Sequence, residues 1–426
     1  MNSSPVAAAT AAAGGVLRSN LRSGFSAGAG RDFCYTCPSP DTYPFQWAWD
    51  SAFHAIALSH VDPSRAQAEL ESLLSAVTSE GFLPHMLLWQ DDLRPHAVDD
   101  FRIRARGWTS TSIAPPVLAR SVERVYLATR DRRFLATALP RTVAFYDWLH
   151  NHRTDSRTGL LVTFQPDESG LDMSPKYDEA LGLDTTPAIV AGQWHQSMRE
   201  LLDAYATATS EADIAAARRF VWHDVLVNSI YADGLRAAAG LCRLSERTRR
   251  VADVLDDRAH AITAALLRHC WDDQRGVFWD IDVIRGTAAR CLTASSLFPL
   301  ILDDLPKPAA RRLVEDHLLD EREFWTPYPV PSVAINEPTF DPDFTTGAIF
   351  RGSSWVNLNW YLCGGLRTHG YADIADHLAD RTLEMTALSG MRECYGPFDG
   401  AGHGAKSFGW SSLVLDLAAH AERTQP

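Results

Sequence analysis

Two segments of the sequence carry carboxylates in positions suited to acid–base chemistry. Residues 167–175 (DESGLDMSP) hold three carboxylates within six positions, and the loop is bounded by proline and interrupted by glycine. Residues 392–398 (RECYGPF) hold one, Glu393. General acid–base catalysis needs two such groups at one reacting bond, because one group donates a proton while the other accepts one. Taken alone, residues 167–175 are equally well explained as a solvated acidic turn.

Two further segments combine aromatic rings with polar groups. Residues 43–51 (YPFQWAWDS) place four rings and Asp50 within nine positions, and residues 350–355 (FRGSSW) place Arg351 and Trp355 around a glycine that permits a tight turn. Aromatic faces can cover the apolar side of a sugar ring while carboxylates hold its hydroxyls. Most of the 13 tryptophans are expected in the core, but this clustering favours a sugar site.

Composition excludes several other classes of protein. The 426 residues are 46% apolar and 22% charged, as in a globular chain with a large core. The net charge of −13 and the lack of a basic run argue against nucleic-acid binding. Apolar stretches are shorter than the roughly 20 residues of a membrane span, and no secretion signal is evident at the N-terminus. Seven scattered cysteines indicate reduced thiols, hence a cytoplasmic location.

Metals and cofactors are not expected. The pair Cys34 and Cys37 has the spacing of a zinc or redox motif, but a second pair or a βαβ context is missing. The sequence also lacks a Walker-type glycine loop, an HExxH motif and a nucleophile elbow.

Helical periodicity dominates the chain and indicates the elements that must position these groups. Helices are predicted over residues 64–75, 115–129, 132–152, 188–206, 212–240, 244–270, 309–319, 354–365, 374–388 and 407–421. Strand signals are short, and the best are residues 160–164 and 277–279. The segments with chemistry fall in loops between helices. The pattern predicts a disordered N-terminus over residues 1–15 and a single all-α domain over 16–426. An α/α toroid with a cleft at one end is favoured over a solenoid, because no fixed repeat is found.

In their order along the chain, these four segments resemble the inverting glycosidases built on an (α/α)6 barrel. The resemblance is greatest to glycoside hydrolase family 63, which includes glucosylglycerate and mannosylglycerate hydrolases; trehalases of family 37 look more distant. It extends from about residue 16 to 420. The resemblance implies an inverting, cofactor-free α-glycosidase that hydrolyses a small α-glucoside. Its expected partner is that small-molecule substrate, and binding to nucleic acid or to a membrane is not expected. Whether the protein forms a homo-oligomer is left open.

The resemblance also implies roles for individual residues. Asp172 aligns with the general acid and Glu393 with the general base, which in inverting enzymes lie roughly 6.5 to 9.5 Å apart. Burial or a nearby carboxylate such as Glu168 is expected to keep Asp172 protonated. Asp50 is expected to accept hydrogen bonds from sugar hydroxyls, and Trp47 or Trp355 to form a stacking wall. The expected substrate-contacting residues are Tyr43, Trp47, Asp50, His85, Asp167, Glu168, Gly170, Phe350, Arg351 and Trp355.

The sequence departs from the family pattern on the aglycone side. Asp167 stands where glucosylglycerate-type enzymes carry a tryptophan, and Ala114, Ile349 and Ser353 replace other family residues. A carboxylate at this position would repel a glycerate anion. The aglycone is therefore expected to be neutral or to carry an amine. Alternatives are a glucosylglycerate or mannosylglycerate hydrolase, a trimming glycosidase in biosynthesis, and a sugar-binding protein without turnover.

Overall fold

The chain is mainly helical. A computed structural model describes residues 5–101, 103–183 and 191–424. The α-helices of these residues are α1 (Pro5–Ser19), α2 (Ala48–Leu58), α3 (Pro63–Leu74), α4 (Arg94–Asp99), α5 (Leu118–Thr129), α6 (Arg132–Arg153), α7 (Ala191–Ala204), α8 (Glu211–Ala217), α9 (Val225–Cys242), α10 (Arg249–His269), α11 (Lys307–Arg312), α12 (Val356–Thr368), α13 (Ala372–Ser389) and α14 (Val414–Thr424). The helical character predicted from periodicity is confirmed. None of the helices described is long and apolar enough to cross a membrane.

The helices pack in neighbouring pairs around a shared core. α2 lies against α3, α9 against α10 and α12 against α13. The first member of each pair is buried on nearly all sides, whereas the second is buried on one face. In α10, for example, the buried residues include Leu255, Ala259, Ile262 and Leu266, which recur every three or four positions. This spacing gives an amphipathic helix one apolar face.

The N-terminus is folded from residue 5 onward, so the prediction of disorder over residues 1–15 was wrong for residues 5–15. Ala9, Ala13 and Leu17 recur every four positions in α1 and are fully buried. They face α13 and α14. The segment is rich in alanine, which has the highest helix propensity and a side chain small enough for close helix packing. Its weak apolar periodicity gave no signal of that contact.

The helix predicted over residues 212–240 is interrupted. α8 ends at Arg218, which has a φ of +46°, and the chain then forms a short strand before α9 begins at Val225. The Asp224 side chain caps α9 by accepting a hydrogen bond from the N–H of Val227 at 2.9 Å. Of the predicted helix over residues 188–206, residues 188–190 lie outside the described part, and the remainder corresponds to α7.

Short strands form five small antiparallel sheets in the described residues. They are β1 (Leu21–Ser26), β2 (Arg31–Thr36), β3 (Gln46–Trp47), β4 (Met86–Leu87), β5 (Ala105–Arg106), β6 (Thr109–Ser110), β7 (Trp222–His223), β8 (Trp271–Asp272), β9 (Val277–Phe278), β10 (Ile281–Asp282), β11 (Thr287–Ala288), β12 (Arg392–Tyr395) and β13 (Gly402–Lys406). The strand predicted at residues 277–279 corresponds to β9. Residues 160–164 form only isolated bridges, from Leu161 and Thr163. Two sheets, β3-β4-β6-β5 and β12-β13, carry residues that line the cavity described next.

Candidate active site

A cavity of about 320 Å³ collects residues from all four segments singled out in the sequence. The predicted site residues that line it are Tyr43, Trp47, Asp50, His85, Asp167, Gly170, Asp172, Phe350 and Glu393. They lie up to 350 residues apart in sequence, as in the hydrogen bond between Tyr43 and Glu393. The two carboxylates expected to act as acid and base therefore face one space.

Strand pairing brings Trp47 and His85 together. Trp47 of β3 lies opposite Met86 of β4, and the carbonyl of His85 accepts a hydrogen bond from the N–H of Ala48 at 2.7 Å. The two rings are 5.1 Å apart and nearly perpendicular. Burial lowers the pKa of His85 to about 4, so the imidazole is neutral near pH 7. Trp47 Nε1 and His85 Nδ1 are buried without a hydrogen-bond partner among the described residues.

Asp50 occupies the first turn of α2, where a carboxylate interacts favourably with the helix dipole. Its side chain reaches the cavity wall although only 4% of the residue is exposed. Burial raises the pKa of Asp50 well above its usual range, and the negative charge of Glu393 adds to the shift. A buried carboxyl group of this kind gains from hydrogen bonds to sugar hydroxyls.

The loop carrying Asp172 turns sharply at Gly170. A 3₁₀ helix over Pro166–Ser169 ends there, and Gly170 has a φ of +69°. A Cβ atom at Gly170 would lie 2.5 Å from the Trp49 ring, so both the backbone conformation and the packing require glycine. Gly170 therefore forms part of the cavity wall through its backbone, and it allows the turn that leads to Asp172.

Asp172 is held in an environment that favours its protonated form. Burial raises its pKa well above the usual range, followed by the negative charge of Asp167 and then, more weakly, Glu393 and Asp50. Burial or a carboxylate such as Glu168 was expected from the sequence to have this effect, and burial is the larger cause. The carboxylate that adds most to it is Asp167. Asp167 itself has its pKa raised to about 7 by burial and by the charge of Glu168.

Glu393 has two hydrogen-bond donors that favour its charged form. The Tyr43 hydroxyl donates to Oε1 at 3.0 Å, and the backbone N–H of Ala405, on the neighbouring strand β13, donates to Oε2 at 2.7 Å. Burial raises the pKa of Glu393, and both hydrogen bonds oppose the shift. Gly404 allows this close approach, since a Cβ atom there would lie 2.4 Å from Glu393 Oε2. Burial thus raises the pKa of both Asp172 and Glu393, and at Glu393 two donated hydrogen bonds oppose the rise.

Glu168, predicted as a substrate contact, is not among the residues that line the cavity. Its two oxygens each accept a hydrogen bond from the Arg153 guanidinium at 2.7 Å, and the backbone N–H groups of Ile113 and Phe164 also donate to them. Arg153 and Glu168 are 1% and 2% exposed. The Glu168 carboxylate therefore anchors the loop that carries Asp172 to helix α6. Both of its oxygens already accept hydrogen bonds from protein groups.

Arg351 and Trp355, also predicted as substrate contacts, are not among the residues that line the cavity. Arg351 forms a buried bidentate ion pair with Asp178 at 2.9 and 2.5 Å. Trp355 is fully buried and stacks on Phe350 with ring centroids 3.9 Å apart. Phe350 faces the cavity and Trp355 supports it, which leaves Trp47 as the predicted stacking residue that reaches the ligand space.

Removing the Glu168 charge is expected to destabilise the fold. Breaking a buried ion pair by changing one partner costs about 3 to 5 kcal/mol, because the other charge stays buried. We expect Glu168→Gln to lower the free energy of urea-induced unfolding by less than that amount, because Arg153 keeps its ion pair with Glu211. Glu246→Gln is the matched control: its exposed pair with Arg249 should contribute little. Similar midpoints for both variants would contradict the anchoring role.

Several lining residues were not predicted as site residues from the sequence. Trp49 belongs to the aromatic segment 43–51, but it was not assigned to the site. Phe101 packs 5.6 Å from both Tyr43 and Trp47, and its loop gave no signal of that position. The other such residues of the wall are Pro38, Asp100, Ile103, Met173, Trp194, His195, Met198, Leu202, Gly347, Ile349, Phe408 and Trp410.

The described residues offer no group of three or more histidine, cysteine, aspartate or glutamate side chains arranged to hold a metal ion. Cys34 and Cys37 are free thiols, and burial raises the pKa of both. A raised pKa keeps a thiol protonated, which disfavours metal binding and nucleophilic use.

A mainly helical chain that brings acidic groups and aromatic rings together around one small cavity is compatible with a glycoside hydrolase. The family model of the mannosylglycerate hydrolase MGH1-like glycoside hydrolase domain matches residues 43–411. The chain belongs to this family, within glycoside hydrolase family 63. The predictions of family and enzyme class are confirmed.

The chain is similar over most of its length to characterised relatives. It is 30% identical over 408 residues to the mannosylglycerate hydrolase of Thermus thermophilus, covering 89% of this chain and 95% of that protein. It is 28% identical over 429 residues to the mannosylglycerate hydrolase of Rubrobacter radiotolerans, covering 90% and 92%. The crystal structure of the family 63 mannosylglycerate hydrolase from another strain of Thermus thermophilus, in complex with Tris and D-glycerate, superposes with a TM-score of 0.81 at 29% identity, covering 95% and 98%.

Proposed function

We propose that the protein is an inverting α-glycosidase that hydrolyses a small α-glucoside, with Asp172 as general acid and Glu393 as general base. The observation that carries the proposal is the contrast between two carboxyl groups facing one cavity. Burial and the neighbouring Asp167 charge raise the pKa of Asp172 well above its usual range, whereas at Glu393 two donated hydrogen bonds oppose the rise in pKa that burial causes. Environments that separate two carboxyl groups in this way assign the acid and the base.

The reaction follows from these protonation states. Asp172 donates its proton to the glycosidic oxygen as the bond from that oxygen to the anomeric carbon breaks. Glu393 accepts a proton from a water molecule that attacks the same carbon from the opposite face. The free sugar is released with inverted configuration and the aglycone leaves as an alcohol. Afterwards Asp172 is charged and Glu393 is protonated, and exchange with solvent restores both.

The remaining predicted wall residues suit the subsite that holds the sugar. Asp50 would accept hydrogen bonds from sugar hydroxyls, and His85 Nδ1 and Trp47 Nε1 would provide further polar contacts. The Trp47 ring would cover the apolar face of the sugar. Tyr43, which donates to Glu393, would fix the carboxylate that orients the water.

We infer further that the helices form a single (α/α)6 barrel with the cavity at one end. The pairing of α2, α9 and α12, buried on nearly all sides, with the one-sided helices α3, α10 and α13 supports an inner and an outer ring. The free state of all seven cysteines agrees with the predicted cytoplasmic location.

The test is the configuration of the product. Wild-type protein is incubated with α-glucosyl fluoride and with methyl α-glucoside, and the sugar first released is followed by proton NMR. We expect the β-anomer to form first and to mutarotate afterwards. First release of the α-anomer would refute the inverting assignment. Absence of turnover with both glucosides and with the corresponding mannosides would favour a sugar-binding protein.

A second candidate is a mannosylglycerate hydrolase, which is favoured by the names of the two relatives above. It differs from the first in both sugar and aglycone. Parallel measurements of kcat/KM for α-glucosyl fluoride and α-mannosyl fluoride separate the two sugars without involving the aglycone, because fluoride occupies almost none of that subsite.

A further inference from the structure

We propose that the subsite for the leaving group accepts an uncharged, apolar aglycone, with Met173, Trp194 and Met198 as its binding wall and Asp167 as a residue that disfavours anions. This inference rests on the proposed function and deepens it by naming the class of aglycone.

The chemistry of inversion fixes where the aglycone lies. The general acid must reach the glycosidic oxygen, whereas the base and its water lie on the opposite face of the sugar. The aglycone therefore extends along the Asp172 side of the cavity, away from Glu393. Met173 directly follows Asp172 in the chain and also lines the cavity. Asp167, in the same loop as Asp172, lines the cavity too.

Most of the wall on this side is apolar, and His195 of α7 is a polar residue that also lines the cavity. Met173, Trp194 and Met198 belong to one buried cluster, and Leu202 and Ile349 pack against it. The Met173 sulfur lies 3.4 Å from the backbone nitrogen of Ile349, which fixes that contact. All five residues line the cavity. Methionine and tryptophan present large, adaptable contact surfaces to an apolar ligand.

Helix α7 supplies most of this wall through one face. Trp194, Met198 and Leu202 recur every four positions, so they form a single stripe along the helix. Trp194 and Met198 are 7% and 2% exposed. An aglycone against this stripe would be largely removed from water, and each methylene buried in that way is worth about fourfold in kcat/KM.

Asp167, a polar group on this side, offers no positive charge to an anionic aglycone. Oδ1 of Asp167 is buried without a hydrogen-bond partner among the described residues, while Oδ2 accepts a long hydrogen bond from Gln165 at 3.4 Å. Neither the protonated nor the charged carboxyl group offers positive charge to a carboxylate ligand. The cavity wall holds four more carboxyl groups, at Asp50, Asp100, Asp172 and Glu393. An anionic aglycone would thus meet repulsion where an apolar one finds contact.

The test compares leaving groups on one sugar. The sugar is glucose or mannose, whichever the enzyme hydrolyses faster as the glycosyl fluoride. The aglycones are methyl, butyl, glycerol and glycerate. We expect kcat/KM for the butyl glycoside to exceed that for the methyl glycoside by at least about tenfold, since three more methylenes are buried. The glycerate compound should fall at least about tenfold below the butyl one.

The outcomes distinguish failure of the aglycone assignment from failure of the proposed function. Hydrolysis of a glycosyl fluoride with glycerate preferred to butyl would overturn the aglycone assignment and leave the proposed function standing. Failure to hydrolyse either fluoride would overturn the proposed function and the aglycone assignment with it. Both results are obtained with the wild-type protein, so neither depends on whether a variant folds.

Three variants test the wall itself. Met198→Ala should reduce the ratio of kcat/KM for butyl over methyl glycoside at least about threefold. Met385→Ala removes the same side chain from the fully buried face of α13, away from the cavity, and should keep the wild-type ratio. Asp167→Asn should raise kcat/KM for the glycerate compound relative to the glycerol compound. Equal ratios in all three variants and the wild type would contradict the assigned wall.

Discussion

Asp172→Asn is expected to lower kcat for an alkyl α-glycoside by on the order of 10³-fold, because general acid catalysis contributes about 10² to 10⁴-fold. An alkoxide is a poor leaving group, so bond cleavage depends on the proton that Asp172 supplies. Fluoride leaves without that proton. The loss with the glycosyl fluoride should therefore be much smaller, and the ratio of the two losses reports the acid role directly.

The pH dependence gives a second readout of the same role. Burial and the Asp167 charge raise the pKa of Asp172, so the group stays protonated at pH values where an exposed aspartate is charged. Wild-type kcat for the alkyl glycoside should fall as pH rises through that raised pKa, and the glycosyl fluoride should not show this limb. Asp100→Asn, at an exposed carboxylate of the cavity mouth, is the control and should produce no such leaving-group selectivity. Equal losses with both substrates would show that Asp172 is not the acid.

The sequence was sufficient to identify the cavity because its distinctive residues fall in four ordered segments. Trp47, Asp50, Asp172 and Glu393 were all named from their segments, and the structure places all four on one cavity wall. Aromatic and acidic residues in loops between helices carry this signal because packing alone does not call for that composition. The mainly helical fold followed from periodicity in the same way.

The sequence could not show which charged residues form ion pairs with each other inside the protein. Glu168 and Arg351 looked like substrate contacts because both lie in the distinctive segments. Their partners are Arg153, on another element, and Asp178, which is 173 residues from Arg351. A buried ion pair of this kind is defined only by tertiary structure, so a charged residue in a loop gives the same sequence signal whether it faces a ligand or an internal partner.

Helix α7 illustrates a second limit. Trp194 and Met198 recur with the spacing of any core-facing helix, and that spacing cannot distinguish packing against protein from lining a cavity. Phe101 had no periodic signal at all. The residues that contact the aglycone are thus less visible in the sequence than the two carboxylates, and substrate class had to be argued from the structure.

Glu393→Gln is expected to lower kcat by on the order of 10³-fold with every substrate, including the glycosyl fluoride. Water must be activated whichever group leaves, so this loss should not depend on the aglycone. In the variant, the single amide oxygen can accept the hydrogen bond of either Tyr43 or the Ala405 N–H. The amide nitrogen cannot accept the other one, so one of the two hydrogen bonds is lost. Glu384→Gln is the matched control, because Glu384 also accepts from a tyrosine hydroxyl, that of Tyr328, but away from the cavity.

Rescue by azide distinguishes a base from a structural residue. In Glu393→Ala, the removed side chain leaves room for a small anion that attacks without needing a base. With the α-glycosyl fluoride, azide should restore turnover and give the β-glycosyl azide, since attack comes from the face that Glu393 serves. The same addition to Asp172→Asn should give no such product beyond the wild-type background. An α-configured azide, or rescue that does not depend on the Glu393 change, would exclude Glu393 as the group that activates water.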